Sequence, residues 1–205
     1  MGVLKKEKII FCHISKNAGQ TVHKIMREIG DLQIDDRHYN LFQIKQILKD
    51  DNFFDKCKKF CVVRNPWDRM VSTYFFRKKM KEFDFGPIKQ WDLDFNSWVK
   101  YIYSDEYKKL KLMAQGTLNN VRYHYGNSID WIKDRNSIIM DCKVIRFENI
   151  ETELKYFFNE LGYEINISKN NSTSHKPYQN YYNEESKKLV EKNFNKDINI
   201  FNYKF

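Results

Sequence analysis

Hydrophobic and polar positions along the chain alternate between two patterns. Short, β-rich runs occupy residues 8–14 (KIIFCHI), 59–63 (KFCVV) and 143–147 (KVIRF). Runs of this length, bounded by charge or turn signals, predict buried strands. Elsewhere the apolar residues recur every three or four positions. Val22, Ile25, Met26 and Ile29 lead to Gly30; Leu41, Ile44, Ile47 and Leu48 form a second set; Met70, Val71, Tyr74 and Phe75 a third. Ile150, Leu154, Phe157, Phe158 and Leu161 run from Asn149 to Gly162, and a last amphipathic stretch lies near 183–196. This spacing predicts helices, with Gly30 and Gly162 as stops. Asn65-Pro66 opens the third helix, with Asn65 as N-cap, Pro66 in the first turn and Asp68 three residues after the cap. A helix behind Asp94 covers Phe95–Tyr103. The rest of 80–135 is less regular, with a loop-rich stretch around Gly116–Ser128, and the polar segment SKNNSTSHKP precedes the final helix.

Strand–loop–helix units at this spacing predict a P-loop-like, three-layer α/β/α fold with a central parallel sheet. Neither a repeat nor a linker interrupts the chain, so we expect one domain over 1–205, with 80–135 on the side of any acceptor. Ligands in such folds bind beyond the carboxyl ends of the strands. Two segments fall there: HISKNAGQT after the first predicted strand and RNPWDRMVS after the second.

The first of these has the makings of an anion site. A helix N-terminus offers unpaired N–H groups and partial positive charge. Ala18 and Gly19 let backbone approach the anion, Lys16 adds a full charge, and Thr21 adds a hydroxyl. The lysine precedes the glycine, so the GxxxxGK[ST] pattern of Walker-type ATPases and GTPases is absent. In the second segment Arg64 stands where a guanidinium can fork onto a phosphate, and Ser72 follows about two helical turns on. Read singly, Lys16 also fits a solvated capping loop, Arg64 a salt bridge and Ser72 plain helix surface. Arg69 fits either the same anion or a carboxylate partner. A ligand with two separated anionic groups would use both segments.

Composition narrows the partners without choosing one. Lys and Arg exceed Asp and Glu by 9 among 205 residues, which favours nucleotides, nucleic acid, acidic glycans or membrane surfaces. Thirteen tyrosines and sixteen phenylalanines imply large aromatic packing units; Trp67, Trp91, Trp98 and Trp131 read as core. The cysteines Cys12, Cys57, Cys61 and Cys142 have no zinc-site spacing and read as reduced thiols. With no signal peptide, transmembrane run or lipidation motif in view, the expectation is a cytoplasmic protein without a membrane anchor.

With both segments in view, the chain resembles the sulfotransferases that use 3′-phosphoadenosine 5′-phosphosulfate (PAPS), particularly the carbohydrate group that includes heparan sulfate 2-O-sulfotransferases and bacterial relatives. FCHISKNAGQTV is similar to that family's 5′-phosphosulfate loop, FxHxPKTAGTS, and FCVVRNPWDRMVSTY to its 3′-phosphate motif, FxxVRNPxDRxVSxY. DWIKDRNSIIMDCKVIRFENIETEL and HKPYQNYYNEESKKLVEKNFNKDINIFNY resemble its closing segments. The resemblance implies that Lys16, Ala18, Gly19, Gln20 and Thr21 hold the 5′-phosphosulfate, that Arg64 and Ser72 hold the 3′-phosphate, and that Lys176 lies in a loop closing on the nucleotide. Ser15 stands where proline is usual, and Asn17 and Gln20 replace the usual threonine pair.

The implied reaction moves the sulfuryl group of PAPS in line to a hydroxyl, on a saccharide by family likeness, with catalysis by positioning and charge and no metal. Lys16 would neutralise charge on the leaving oxygen, and His38, in a stretch comparable to one carrying a histidine base in relatives, would take the acceptor proton. His13 reads as a core or loop-bracing residue; His124 and His175 lie in polar loops. Glu148 reads as a helix cap or a nucleotide contact. Three other readings stay open: a nucleotide-binding phosphoryl transferase, disfavoured by the missing Walker and magnesium-ligand patterns; a basic nucleic-acid-binding module, disfavoured because the basic sites are loops of ligand type; and a family member that binds nucleotide without turnover.

Overall fold

A computed structural model describes residues 1–34, 38–80, 89–113, 126–167 and 176–205. The chain packs as two compact units, residues 1–64 with 128–172 and residues 65–127 with 173–205.

The first unit is built on a five-stranded sheet. Its strands are β1 (Gly2–Leu4), β2 (Ile9–Cys12), β3 (Leu32–Ile34), β4 (Lys58–Val63) and β5 (Lys143–Arg146). Their order is β3-β1-β2-β4-β5. β2, β4 and β5 are parallel neighbours, with Cys12 opposite Cys61 and Val63 opposite Arg146. β1 runs antiparallel to both β2 and β3. The parallel centre is therefore as the patterning predicts, whereas the β1 and β3 edge was not expected. Three-residue strands are too short to display a period, and pairing across the sheet defines them instead.

Helices flank this sheet. α1 (Gly19–Ile29), α2 (Leu41–Leu48), α3 (Asp51–Lys56) and α7 (Ile150–Glu160) belong to this unit. Side chains alternate across a strand, so Ile9 and Phe11 of β2 share a core with Val22, Ile25 and Met26 of α1 and Leu154, Phe157 and Phe158 of α7. Cys12 points the other way, its Sγ 3.7 Å from the carbonyl oxygens of Tyr39 and Trp131. That face is covered by the segment entering α2 and by a 3-10 turn over Ser128–Ile132. Cys12, Cys57 and Cys61 are buried thiols, and Cys142 is half-buried.

The second unit is helical: α4 (Pro66–Met80), α5 (Phe95–Ile102), α6 (Asp105–Met113), α8 (Glu184–Asn193) and α9 (Asn195–Phe201). The Asn65 side chain accepts from the Trp67 N–H at 3.0 Å and its carbonyl takes the first helical bond, from Arg69, at 2.8 Å, as the cap reading expects. Asp94 caps α5 through the N–H groups of Asn96 and Ser97. Where one final helix was expected there are two, because Phe194 leaves helical geometry and is fully buried. Tyr74, Phe95, Trp98 and Tyr182 form an aromatic centre. All four tryptophans are buried. Among the described residues no helix is long and apolar enough to cross a membrane.

Candidate active site

β2 ends at Cys12 and α1 begins at Gly19, so residues 13–18 form the loop at the carboxyl end of a central strand. Its backbone is strained. Lys16 and Ala18 have φ of 65° and 59°, in the left-handed region that costs a non-glycine residue roughly 1–2 kcal/mol. A left-handed residue next to a right-handed one turns successive N–H groups to the same side, making a concavity suited to an anion. At Ala18–Gly19 this concavity meets a helix start.

Two hydrogen bonds from the neighbouring strand hold this shape. Asn17 is fully buried, and its Nδ2–H donates to the Val62 carbonyl of β4 at 2.7 Å. One residue beyond β4, Arg64 Nη1–H donates to the Lys16 carbonyl at 3.2 Å. Its guanidinium carbon also sits 4.1 Å from the centre of the Phe147 ring, a cation–π contact that helps hold the buried group in place. The net worth of bonds like these is about 0.5–1.5 kcal/mol each, more with a charged donor, comparable with the strain they hold.

The start of α1 is open to a negative ligand. The first helical bond runs from Val22 N–H to the Ala18 carbonyl at 3.1 Å, leaving the N–H groups of Gly19, Gln20 and Thr21 without an acceptor inside the helix. No side chain caps this end, and no acidic residue lies in its first turn, so the positive end of the helix dipole is not compensated. Lys16 and Thr21 are half-buried and Gln20 is exposed beside it.

Gly19 is required here by space. A Cβ at this position would overlap the His13 ring. That ring stacks on Phe11 at 5.4 Å and meets His23 and His38 edge-on at 4.9 and 4.5 Å. Burial pushes the His13 imidazole well below its ordinary value, and the neighbouring His38 and His23, with the amino terminus and Lys16, add to the effect. His13 is therefore a neutral brace in the loop.

His38 follows β3 and faces this brace. Its Nδ1 lies 3.0 Å from the His13 carbonyl oxygen. A carbonyl only accepts, so Nδ1 carries a proton here, and in the neutral ring the lone pair is that of Nε2. The ring stands edge-on to Trp131 at 6.3 Å. Lys16, Ala18, Gly19, Gln20, Thr21, Arg64 and His38 thus belong to one unit, with Arg64 bonded to the loop and His38 bonded to its first residue.

Ser72 and Lys176 belong to the other unit. Ser72 is buried on α4, and Lys176 is exposed, its N–H donating to Tyr181 Oη at 3.1 Å. Arg69 is fully buried there, with Nη1–H donating to the Gly126 carbonyl at 2.9 Å and its guanidinium 5.9 Å from the Phe194 ring. Glu148 sits in a 3-10 turn ahead of α7, whose start has no capping side chain. Near this end Glu153 accepts from Arg146 N–H at 3.0 Å. Asp35 and Asp36, close to His38 in the sequence, and His124 and His175 lie outside the described residues. Among the described residues no group of three or more His, Cys, Asp or Glu is arranged to hold a metal ion.

Sequence reasoning missed the structural parts played by Asn17 and His23. Asn17 registered only as a departure from the family pattern, and His23 gave no signal beyond its place on the buried face of α1. Against known proteins, the family model described as the Sulfotransferase family matches residues 1–204. No curated protein and no solved structure matches the chain.

Proposed function

Because the chain belongs to the sulfotransferase family, we propose that it moves the sulfuryl group of PAPS to a hydroxyl group of a saccharide. The observation that carries this reading is the uncapped, left-handed loop between β2 and α1, with a lysine inside it and an arginine bonded to its backbone. In this reading Lys16 and the N–H groups of Gly19, Gln20 and Thr21 hold the 5′-phosphosulfate, with Ala18 shaping the turn. Arg64 and Ser72 hold the 3′-phosphate, and Lys176 adds charge near the nucleotide. The acceptor oxygen bonds to sulfur as the bond from sulfur to the phosphate oxygen breaks. His38 Nε2 takes the acceptor's proton, and Lys16 neutralises the charge that gathers on the leaving oxygen. No metal is required in this scheme.

Calorimetric titration with 3′-phosphoadenosine 5′-phosphate, beside AMP and ATP, tests the donor. The bisphosphate is expected to bind well and AMP poorly. Arg64 also braces the loop, so Ser72→Ala is the cleaner probe. Losing one hydrogen bond to a charged phosphate, about 1.5–3 kcal/mol, should weaken the bisphosphate roughly ten- to a hundredfold and leave AMP unchanged. Equal affinity for AMP and the bisphosphate would overturn the reading, and preference for ATP would favour a phosphoryl transferase. With an acceptor found by screening, His38→Ala should lower kcat about 10²–10⁴-fold and remove the acid limb of the pH–rate profile. An unchanged acid limb would take the base away from His38.

A further inference from the structure

Asn17 occupies the place between the two left-handed residues of the loop, Lys16 and Ala18. Its side chain is fully buried, with Nδ2–H donating to the Val62 carbonyl at 2.7 Å. Its Oδ1 is equally buried and, among the described residues, has no hydrogen-bond partner. The amide cannot be turned over, since that would set Oδ1 against the Val62 oxygen, two acceptors face to face. An amide with one unsatisfied oxygen is a poor choice for filling space, because a buried acceptor without a donor is destabilising. What this side chain supplies is the one donor bond, and that bond falls between two residues whose backbone would relax to negative φ if released. Relaxation at residue 16 would rotate its flanking peptide planes and redirect the lysine side chain. The bond from Arg64 to the Lys16 carbonyl acts at residue 16, whereas the Asn17 bond falls between the two left-handed residues.

We propose that Asn17 is a positioning residue for sulfuryl transfer, holding Lys16 and the Ala18–Gly19 turn in the geometry that the reaction uses. This rests on the donor reading above and adds to it a residue that touches neither donor nor acceptor. The bond to Val62 keeps the loop tethered to β4 whether or not a ligand is present, so Lys16 is preorganised. Without the tether the lysine still reaches the donor in the ground state, but it no longer meets the developing charge in fixed alignment.

The test has two arms on the full chain, with Asn17→Ala as the main variant and Asn17→Ser, which keeps a short donor, as the milder one. In the first arm, hydrogen exchange of the ligand-free protein is followed at the amides of residues 16–21. Asn17→Ala should speed exchange there about tenfold or more, leave β2 and β4 protected, and be partly rescued by Asn17→Ser. Unchanged loop protection would overturn the proposal, whatever the donor proves to be. In the second arm, kcat and donor KM are measured in wild type and in a Lys16→Met background. Asn17→Ala should lower kcat by up to about 10²-fold with KM within about threefold, the scale expected when a catalytic group is displaced by an ångström. In Lys16→Met the same substitution should have no further effect, because the two residues act as one unit. Equal losses in both backgrounds would mean that Asn17 only stabilises the fold, and the proposal would fall. Should the bisphosphate titration fail while loop exchange responds as expected, the donor reading fails and the tether stands.

Discussion

His13 shows how one half-buried side chain at the sheet end sets a measurable pH response. Its imidazole is packed against Gly19, Phe11, His23 and His38, and burial holds its proton affinity well below the ordinary value of 6.5. The unfolded chain therefore binds a proton at His13 that the folded protein refuses, so stability rises with pH across this window. The contribution is fully present above about pH 6.5. It is lost as the pH falls from there toward the lowered folded value, at no more than about 1.4 kcal/mol per pH unit. Urea denaturation at a series of pH values checks this. His13→Phe keeps a ring in place and removes the proton, so its stability should decline less steeply than wild type as the pH falls below about 6.5. Parallel curves for the two proteins would show that the ring is protonated equally in both states.

Several helices here start where a short polar side chain meets bare N–H groups, whereas α1, like α7 and α9, starts without such a cap. α2, α3, α5 and α8 begin under Asn40, Asp50, Asp94 and Asn183, each accepting a backbone N–H. α1 has only Ala18 in that place. A helix that gives up a cap worth about 1 kcal/mol at the end of a central strand has its N–H groups available for something other than itself. The stabilising caps make the comparison testable. Asp94 accepts from the N–H groups of Asn96 and Ser97 at 2.9 and 3.1 Å and from the Ser97 hydroxyl at 2.6 Å, and the Ser97 bonds draw its carboxyl below the usual carboxylate range. Asp94→Ala should cost about 1 kcal/mol and Asp94→Asn only a fraction of that, read from denaturation midpoints. A loss from Asp94→Asn as large as from Asp94→Ala would mean that the charge, and not the acceptor oxygen, stabilises α5.

On the scale of the molecule, the excess of 9 basic residues favours anionic partners in general and does not locate a site. The residues expected to meet the sulfuryl end of the donor gather in one unit, at the carboxyl end of β2 and β4, through contacts that run from His38 to His13 and from Arg64 to Lys16. A nucleic-acid-binding role for the same charge predicts a different behaviour: binding to arbitrary single strands with affinity that falls steeply with salt. Competition at about physiological salt separates the two. Random single-stranded DNA in modest excess is expected to leave the bisphosphate titration unchanged. Displacement of the bisphosphate, with a slope of several in log affinity against log salt, would turn the reading toward nucleic acid.

Much of this was legible in the chain alone, and for definite reasons. Apolar period marked β2, β4, β5, α1, α4 and α7, because core burial imposes it residue by residue. Asn65-Pro66 and Asp94 marked helix starts, because capping is local chemistry. The β2–α1 loop and Arg64 were legible because strand–loop–helix order alone places them beyond the carboxyl ends of β2 and β4. Three-residue β1 and β3 were beyond reach, since only pairing with distant backbone makes strands of them. So was the split at Phe194, where burial of one ring overrides a continuous helical pattern. The same holds within the candidate site. Residue types named Lys16 and Arg64, and the family likeness named His38, but the left-handed turns at Lys16 and Ala18, the Asn17 bond to Val62 and the His13 ring against Gly19 join residues up to 45 positions apart. Such contacts exist only once the sheet has brought β2 and β4 side by side, and tertiary structure alone decides them.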